Sequence, residues 1–207
     1  MIKLIYLAKR KPGFTFDEFV RRWRMHGALG MSQPLWRFAL AYVQAESIIP
    51  APISGASEEY DAVACYMMQD AMFTSMTEED FPGAMAMADD ELETFSGPIA
   101  EVSLWVREEP IKPGALGGIT AFLFFADQSA ARDIAEQVRD AQELNRVTLN
   151  LRDDSRGGPQ ANTLPHAAVV ELSACNVPSL EAAAGKLLAG ADVTVVTREA
   201  VLWDRLP

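Results

Sequence analysis

The stretch KLIYLAKRKPGFTFDEFVRRWRMHGAL, Lys3 to Leu29, decides how the first part of the chain folds. Its first residues belong to IKLIYLAK, an apolar run rich in β-forming residues that predicts a strand. The KPG that follows predicts a turn. Thr15 is a candidate N-cap, and Glu18 three residues later completes a capping-box pattern. Apolar residues then recur at helical spacing, which predicts a helix with one face turned inward. These residues are Phe16, Phe19, Val20 and Trp23.

Length and composition predict an ordinary globular protein. The chain has 207 residues, of which 49% are hydrophobic and 23% charged, enough for a sizeable core. The net charge of -11 argues against nucleic-acid partners, because binding to phosphate backbones relies on Lys and Arg. No run approaches the roughly eighteen consecutive apolar residues of a membrane span, and no signal-peptide cleavage site follows the start. Cys65 and Cys175 lack the spacing of a disulfide framework or metal site, so we expect a reduced, cytoplasmic protein without a membrane partner.

The order of predicted elements is the same in the two halves of the chain. The first half continues with predicted strands at RFALAYVQA and YDAVACYMM, helical segments at QDAMFTSMTEEDF and GAMAMADDELETF, and a strand at PIAEVSLWVREE. PIKPGALGG then has the composition of a linker. Beyond it we predict strand, helix, strand, strand, helix and strand at ITAFLFFA, SAARDIAEQVRDAQ, RVTLNLR, HAAVVELSA, SLEAAAGKLLAG and VTVVTREAVLWDR.

This order defines the predicted fold class, an α+β protein made of two tandem ferredoxin-like (βαββαβ) units at 1–110 and 115–207. The two endings also match, since EVSLWVRE reads like EAVLWDRL. Strands such as AVACYMM and AFLFF are apolar on both faces, so each sheet needs cover on the side away from its helices. We therefore expect the two sheets to stack on each other within one chain as a pseudo-dimeric α/β barrel.

The opening stretch with its Lys-Arg-Lys-Pro-Gly turn and His-Gly pair resembles EthD-type domains, and ADDELETF resembles that family's acidic and aromatic stretch. The family belongs to the dimeric α/β-barrel superfamily, which includes small polyketide cyclases, cofactor-free quinone-forming monooxygenases and lactone isomerases. The resemblance implies an aromatic-lined pocket between the sheet and its own helices. Because the second half lacks the WxxHG signature of Trp23 to Gly27, the resemblance implies one site per chain, in the first half.

His26 is the main candidate for chemistry. It lies three residues after Trp23, so a continued helix places it on the same inward stripe. An imidazole suits general acid/base work near neutral pH, because its ordinary pKa is about 6.5. The alternative is a structural histidine that hydrogen-bonds a backbone carbonyl at the helix end. Asp90 and Glu91, with Asp89 beside them, are the acidic candidates, although three consecutive carboxylates are also typical of a solvated helix face.

Aromatic side chains of the first half supply the candidate ligand-binding set, with an ordinary core role as the alternative. These are Tyr6, Trp23, Trp36, Tyr42, Tyr66 and Phe95. We expect no metal and no cofactor, because the two histidines are far apart and no nucleotide loop follows a strand. The resemblance leaves haem open, since distant members of the superfamily bind it through a histidine, but His166 is poorly placed for that role.

These observations favour a cofactor-independent lyase, isomerase or cyclase that uses acid/base chemistry on a small aromatic, lactone or polyketide-like compound. Two alternatives stay open. One is a non-catalytic protein that holds a hydrophobic metabolite for a partner oxygenase, and the other is a cofactor-free monooxygenase. The expected partner is a small hydrophobic molecule, and a homodimer of the two-unit chain is a further open alternative.

Overall fold

Eight antiparallel strands form a closed barrel in the computed structural model, which describes residues 1–155 and 162–206. The order around the barrel is β1-β3-β2-β8-β5-β7-β6-β4. Pro207, the last residue of the second predicted unit, lies outside the described residues. The strands are β1 Ile2–Ala8, β2 Ala39–Ser47, β3 Ala62–Met68, β4 Ser103–Lys112, β5 Gly118–Phe125, β6 Leu144–Arg152, β7 Ala168–Ala174 and β8 Val193–Asp204.

Helices cover the outside of the barrel, which confirms the predicted α+β class. No helix within the described residues combines the length and apolarity that crossing a bilayer requires. Short 3-10 helices occur at Pro34–Phe38, Glu78–Asp80, Ile99–Val102 and Leu188–Gly190. The α-helices are α1 Phe16–Met31, α2 Met72–Ser75, α3 Phe81–Thr94, α4 Gln128–Gln137 and α5 Val177–Ala184.

The barrel is one continuous sheet, which corrects the expectation of two sheets that only stack face to face. Strands β4-β1-β3-β2 form one run, and β8-β5-β7-β6 form another. Hydrogen bonding between β2 and β8, and between β4 and β6, joins these runs at both sides. Each pairing satisfies backbone groups that would otherwise be unpaired at a sheet margin, so closure is favoured over stacking.

Two local predictions need correction. The segment 69–81 is not one helix, since α2 has four residues and a 3-10 helix follows it. The predicted linker PIKPGALGG begins inside β4, whose Lys112 pairs with Val147 of β6. Helix α1 continues past Gly27 and ends at Met31.

The core is divided between the barrel interior and the helix-covered outer faces. Inside, an apolar cluster includes Ile5, Leu7, Phe122 and Phe124. Outside, α1 packs on the face of β1, β2 and β3 through an aromatic cluster that contains Phe19. Helices α4 and α5 cover the second run of strands with small and branched residues. The space between α1, α3 and the sheet is where the candidate site lies.

Candidate active site

A cavity of about 190 Å³ lies between the sheet and the pair of helices α1 and α3. Its wall is mainly apolar and aromatic, with few polar groups, as is typical of small-molecule sites. An apolar cavity of about 150 Å³ accommodates benzene, so the volume suits a single-ring compound. The lining residues are Leu4, Tyr6, His26, Gly27, Gly30, Gln33, Leu35, Trp36, Tyr42, Tyr66, Gly83, Met87, Glu91 and Ile99.

Helix α1 brings His26 to the cavity. The predicted capping box is present, with Thr15 accepting from the Glu18 backbone amide and the Glu18 side chain bonding back to the amide of Thr15. From that fixed start, helical periodicity places Trp23 and His26 on the buried face. His26 is 2% exposed, and its ring meets Phe95 edge-on at 5.4 Å between ring centres. The histidine is therefore held in one orientation by packing.

A carboxylate on α3 binds the histidine. Asp90 Oδ2 lies 2.7 Å from His26 Nδ1, and Arg22 forms a two-pronged ion pair with the same carboxylate, with 3.0 Å between Nη1 and Oδ2. Because the Asp90 carboxylate accepts, a neutral His26 carries its proton on Nδ1 and leaves the Nε2 lone pair free. No hydrogen bond from residues 1–155 or 162–206 engages Nε2. The His26 partner is thus a carboxylate and not the backbone carbonyl of the structural alternative.

Electrostatics keep this histidine neutral. Burial lowers the pKa of His26 below its ordinary 6.5, although the Asp90 carboxylate acts in the opposite direction. Burial alone would raise the pKa of Asp90, but hydrogen bonds from Arg22 and His26 outweigh it and hold that pKa below the ordinary value. Asp90 is therefore ionised and His26 is an unprotonated base near neutral pH.

Glu91, the next residue on α3, reaches the cavity directly. Its Oε2 accepts a hydrogen bond from the Ile99 backbone amide at 3.0 Å. Burial raises the pKa of Glu91 despite this hydrogen bond. The cavity therefore holds two titratable groups, a histidine whose pKa burial lowers and a carboxyl whose pKa burial raises.

Two tyrosines share a hydrogen-bond network beside these groups. The hydroxyls of Tyr6 and Tyr42 lie 3.3 Å apart. The Tyr6 hydroxyl also accepts from Trp23 Nε1 at 3.2 Å, and the Tyr42 hydroxyl accepts from Gln44 Nε2 at 2.9 Å. One phenol proton is used between the two tyrosines, so the other has no acceptor within the network. A ligand oxygen in the cavity can accept it.

The phenols act as neutral donors. Burial raises the pKa of Tyr6 well above 10, and burial also raises the pKa of Tyr42 and Tyr66. Trp36 stacks on Tyr66 with 5.2 Å between ring centres and meets Tyr42 edge-on. These contacts fix the rings that form the cavity wall.

The predicted site residues fall into two groups in the structure. His26, Glu91, Tyr6, Trp36, Tyr42 and Tyr66 all line the cavity. Three others do not reach it. Asp90 contacts the cavity only through His26, while Trp23 and Phe95 are fully buried behind the wall, where Trp23 stacks on Phe19.

Sequence reasoning did not identify several residues that shape the site. Arg22 and Gln44 contribute through contacts with groups far along the chain, at Asp90 and the Trp23 carbonyl, for which no local pattern exists. Gly27 and Gly30 did carry a signal, since two glycines three residues apart inside a helix mark one bare face. A Cβ at Gly30 would lie 3.2 Å from Met87 Cε and reduce the cavity.

The described residues contain no group of three or more His, Cys, Asp or Glu that could hold a metal ion. His166 is 7% exposed, packs against Phe124 and does not line the His26 cavity.

Alanine at Gly27 and at Gly30 is expected to have different effects. A Cβ at Gly27 would lie 2.9 Å from Gln44 Nε2, which cannot move freely because it donates to Tyr42 and to the Trp23 carbonyl. Gly27→Ala should therefore cost about 1–3 kcal/mol of unfolding free energy. A Cβ at Gly30 meets the flexible end of Met87 and, at an ordinary contact distance of 3.4 Å, Trp36, so the stability of Gly30→Ala should stay within about 1 kcal/mol of wild type. Urea unfolding of both variants measures the difference, and equal values would contradict the contact argument.

Solved structures of other proteins share this fold. A proposed monooxygenase from Fusobacterium nucleatum subsp. nucleatum ATCC 25586 aligns over 98% of this chain and 92% of its own, with a TM-score of 0.51 and 9% identity. A proposed chlorite dismutase aligns over 96% and 94%, with a TM-score of 0.55 and 8% identity. An anthrone oxidase-like protein aligns over 99% and 94%, with a TM-score of 0.50 and 7% identity. At these identities the likeness concerns the fold alone.

The sequence itself matches no family model and no curated protein. Its function must therefore be argued from the site.

Proposed function

We propose that this protein is a cofactor-independent acid/base enzyme of the lyase, isomerase or cyclase type. The observation that carries the proposal is the contact between His26 Nδ1 and Asp90, which leaves Nε2 free beside an apolar cavity. Histidines that act as general bases are commonly held in one tautomer by a carboxylate on the other ring nitrogen. Arg22 keeps the carboxylate ionised and in place. Asp90 acts as a positioning residue, and His26 as the proton acceptor.

The substrate we propose is a small ring compound with a carbonyl or phenolic oxygen. The cavity volume of about 190 Å³ limits the buried part to about one ring. An oxygen is needed because one phenol proton of the Tyr6 and Tyr42 pair requires an acceptor. The same hydroxyl would stabilise negative charge that develops on that oxygen when the ring loses a proton.

The proposed step moves a proton within the bound substrate. His26 Nε2 takes a proton from the carbon next to the carbonyl, and the C–H electron pair forms an enolate whose oxygen is hydrogen-bonded by the tyrosine pair. The protonated His26 then delivers that proton to a second carbon of the enolate, where a new C–H bond forms. This delivery restores the neutral imidazole for the next turnover.

A cofactor-free monooxygenase is the second candidate. The same base would generate a carbanion or phenolate that reacts with dissolved oxygen, and two of the proteins with a similar fold are described as a proposed monooxygenase and an anthrone oxidase-like protein. A binding protein for a partner oxygenase is the third. Each of the three gives a different result in one experiment.

That experiment incubates the protein in D₂O with a panel of single-ring ketones, lactones and phenols and follows each by NMR and an oxygen electrode. The proposal predicts deuterium at the carbon next to the carbonyl without oxygen uptake. Oxygen uptake would favour the monooxygenase, and saturable binding with neither signal would favour the binding protein. Phe variants of Tyr6 and Tyr42 test the substrate class, since they should weaken binding of ketones more than of the matching hydrocarbons.

We also infer that the chain is an EthD-like protein whose units at 1–110 and 115–207 are tandem copies. Support comes from the equal strand order of the two runs, β4-β1-β3-β2 and β8-β5-β7-β6. The matching sequences EVSLWVRE and EAVLWDRL also lie at equivalent places, on β4 and β8. A cytoplasmic location and a homodimer remain predictions.

The pH dependence of the reaction tests the role of Asp90. Because burial holds the pKa of His26 below 6.5, kcat/KM should rise as pH increases through that lowered pKa and then level off. The Asp90 carboxylate raises the pKa of His26, so Asp90→Asn should move this rise to still lower pH while it reduces the plateau rate. A purely structural aspartate would reduce the amount of folded enzyme and leave the midpoint unchanged.

A further inference from the structure

A second cavity, of about 230 Å³, lies at the end of the barrel where β4 leads into β5. It is separate from the His26 cavity and shares no lining residue with it. Mouths of β-barrels are common places for small-molecule sites. Its lining residues are Met67, Glu108, Gly114, Ala115, Leu116, Arg146, Thr148, Glu171, Asp204 and Leu206.

Buried charges surround this cavity. Lys3, 1% exposed, donates to Glu171 at 2.5 Å and to Glu108 at 2.8 Å. Arg146 Nη2 donates to Glu199 at 2.6 Å and is 3.3 Å from Glu171. Three carboxylates thus face two cations, and Asp204 at the rim adds a further negative charge. The cluster has an excess of negative charge in a place with little water to screen it.

Hydrogen-bond acceptors remain free on the cavity wall. Within the described residues, Lys3 binds Glu108 through Oε2, and Oε1 accepts no hydrogen bond. Asp204 likewise accepts only at Oδ1, from the Leu206 amide. Thr148 is 2% exposed, and its hydroxyl makes no hydrogen bond to any residue in the described ranges. The Thr148 hydroxyl thus comes from a nearly buried residue and has no protein partner, which leaves it to a ligand or solvent group in the cavity.

Apolar side chains form the rest of the wall, through Met67, Leu116 and Leu206. The cavity therefore combines acceptors with excess negative charge on one part and hydrocarbon on another. Arg146 also lines it; its Nη2 binds Glu199 and Glu171, while its Nε is buried without a hydrogen-bond partner among the described residues. An ammonium group has three N–H donors and no acceptor, which matches the free acceptors in number and charge.

We propose that this barrel-mouth cavity binds a small primary alkylammonium compound, with its ammonium at Glu108, Asp204 and Thr148 and its alkyl part against Met67 and Leu116. The site is independent of the proposed catalytic cavity and does not rest on the proposed function.

Calorimetric titration with n-butylammonium chloride at constant ionic strength tests the proposal on the full chain. We expect one saturable equivalent per chain for wild type, and no saturable binding of n-butanol or butyrate. Glu108→Gln keeps an acceptor for Lys3 but removes the charge, and it should weaken binding about tenfold or more. Leu116→Trp fills the cavity without a charge change and should abolish binding.

Glu143→Gln is the matched control. Glu143 is exposed, and its substitution removes the same charge from the surface of this acidic protein. It should bind n-butylammonium as wild type does. The proposal is overturned if wild type shows no saturable binding, if butyrate or n-butanol binds as tightly, or if Glu108→Gln and Glu143→Gln weaken binding equally. Thermal unfolding of each variant establishes that the comparison concerns folded protein.

Discussion

His26→Ala is expected to lower turnover about 100- to 10,000-fold, because it removes the proposed proton carrier from the cavity. The substrate of this test is the compound from the deuterium-exchange panel that gives the strongest signal. Substrate affinity should change little, since the aromatic wall and the tyrosine pair remain. Steady-state kinetics together with a binding titration separates the two quantities.

His26→Gln serves as the control for packing, because an amide can still contact Asp90 but cannot accept a proton at neutral pH. It should be as inactive as His26→Ala while unfolding closer to wild type. If both variants keep wild-type activity per folded molecule and differ only in stability, the histidine is structural and the proposed mechanism is wrong.

Lys3→Met is expected to cost about 3–5 kcal/mol of unfolding free energy, the largest stability effect that the structure suggests. The reason is that Lys3 lies between Glu171 and Glu108, and its removal leaves the fully buried Glu171 with Arg146 as its remaining cationic partner. Uncompensated charge in the barrel interior is far more costly than a lost contact at the surface. Urea unfolding with a common m-value measures the change.

Two further variants make this result interpretable. Lys9→Met removes an exposed lysine that pairs with Glu59 and should alter stability by about 1 kcal/mol or less. The double variant Lys3→Met/Glu171→Leu should regain part of the lost unfolding free energy, because it also removes the carboxylate that Lys3→Met leaves without its lysine partner. A small effect of Lys3→Met, similar to that of Lys9→Met, would show that solvent reaches the cluster.

Local chemistry made the opening of the chain predictable. Thr15 and Glu18 are three residues apart, so the helix start could be identified from sequence and is confirmed. The end of the same helix could not be identified in this way. Gly27 is typical of a helix C-terminus, yet here it lies mid-helix and allows Gln44 and Tyr42 to approach closely. Those partners come from β2, and no pattern within the helix identifies them.

The same limit applies to the acidic candidates. Asp89, Asp90 and Glu91 are consecutive, and each residue of a helix turns about 100° from the last. In the structure Asp89 is exposed, Asp90 contacts His26 and Glu91 lines the cavity. The rotation of α3 against α1 decides among them, and that rotation depends on packing between distant segments. Trp23 was expected to line the cavity, but it is buried behind the cavity wall. The packing of distant segments decides this position as well.

Closure of the barrel has a consequence for how copies of this protein can meet. Every strand from β1 to β8 has a hydrogen-bonded neighbour on each side within the described chain. Copies therefore cannot associate by extending one sheet into another, the route that open strand edges offer to dimers and to aggregates. If a homodimer forms, its interface must come from helices or loops, and exposed apolar side chains on α3 such as Phe81 and Met85 are the groups that such an interface would bury.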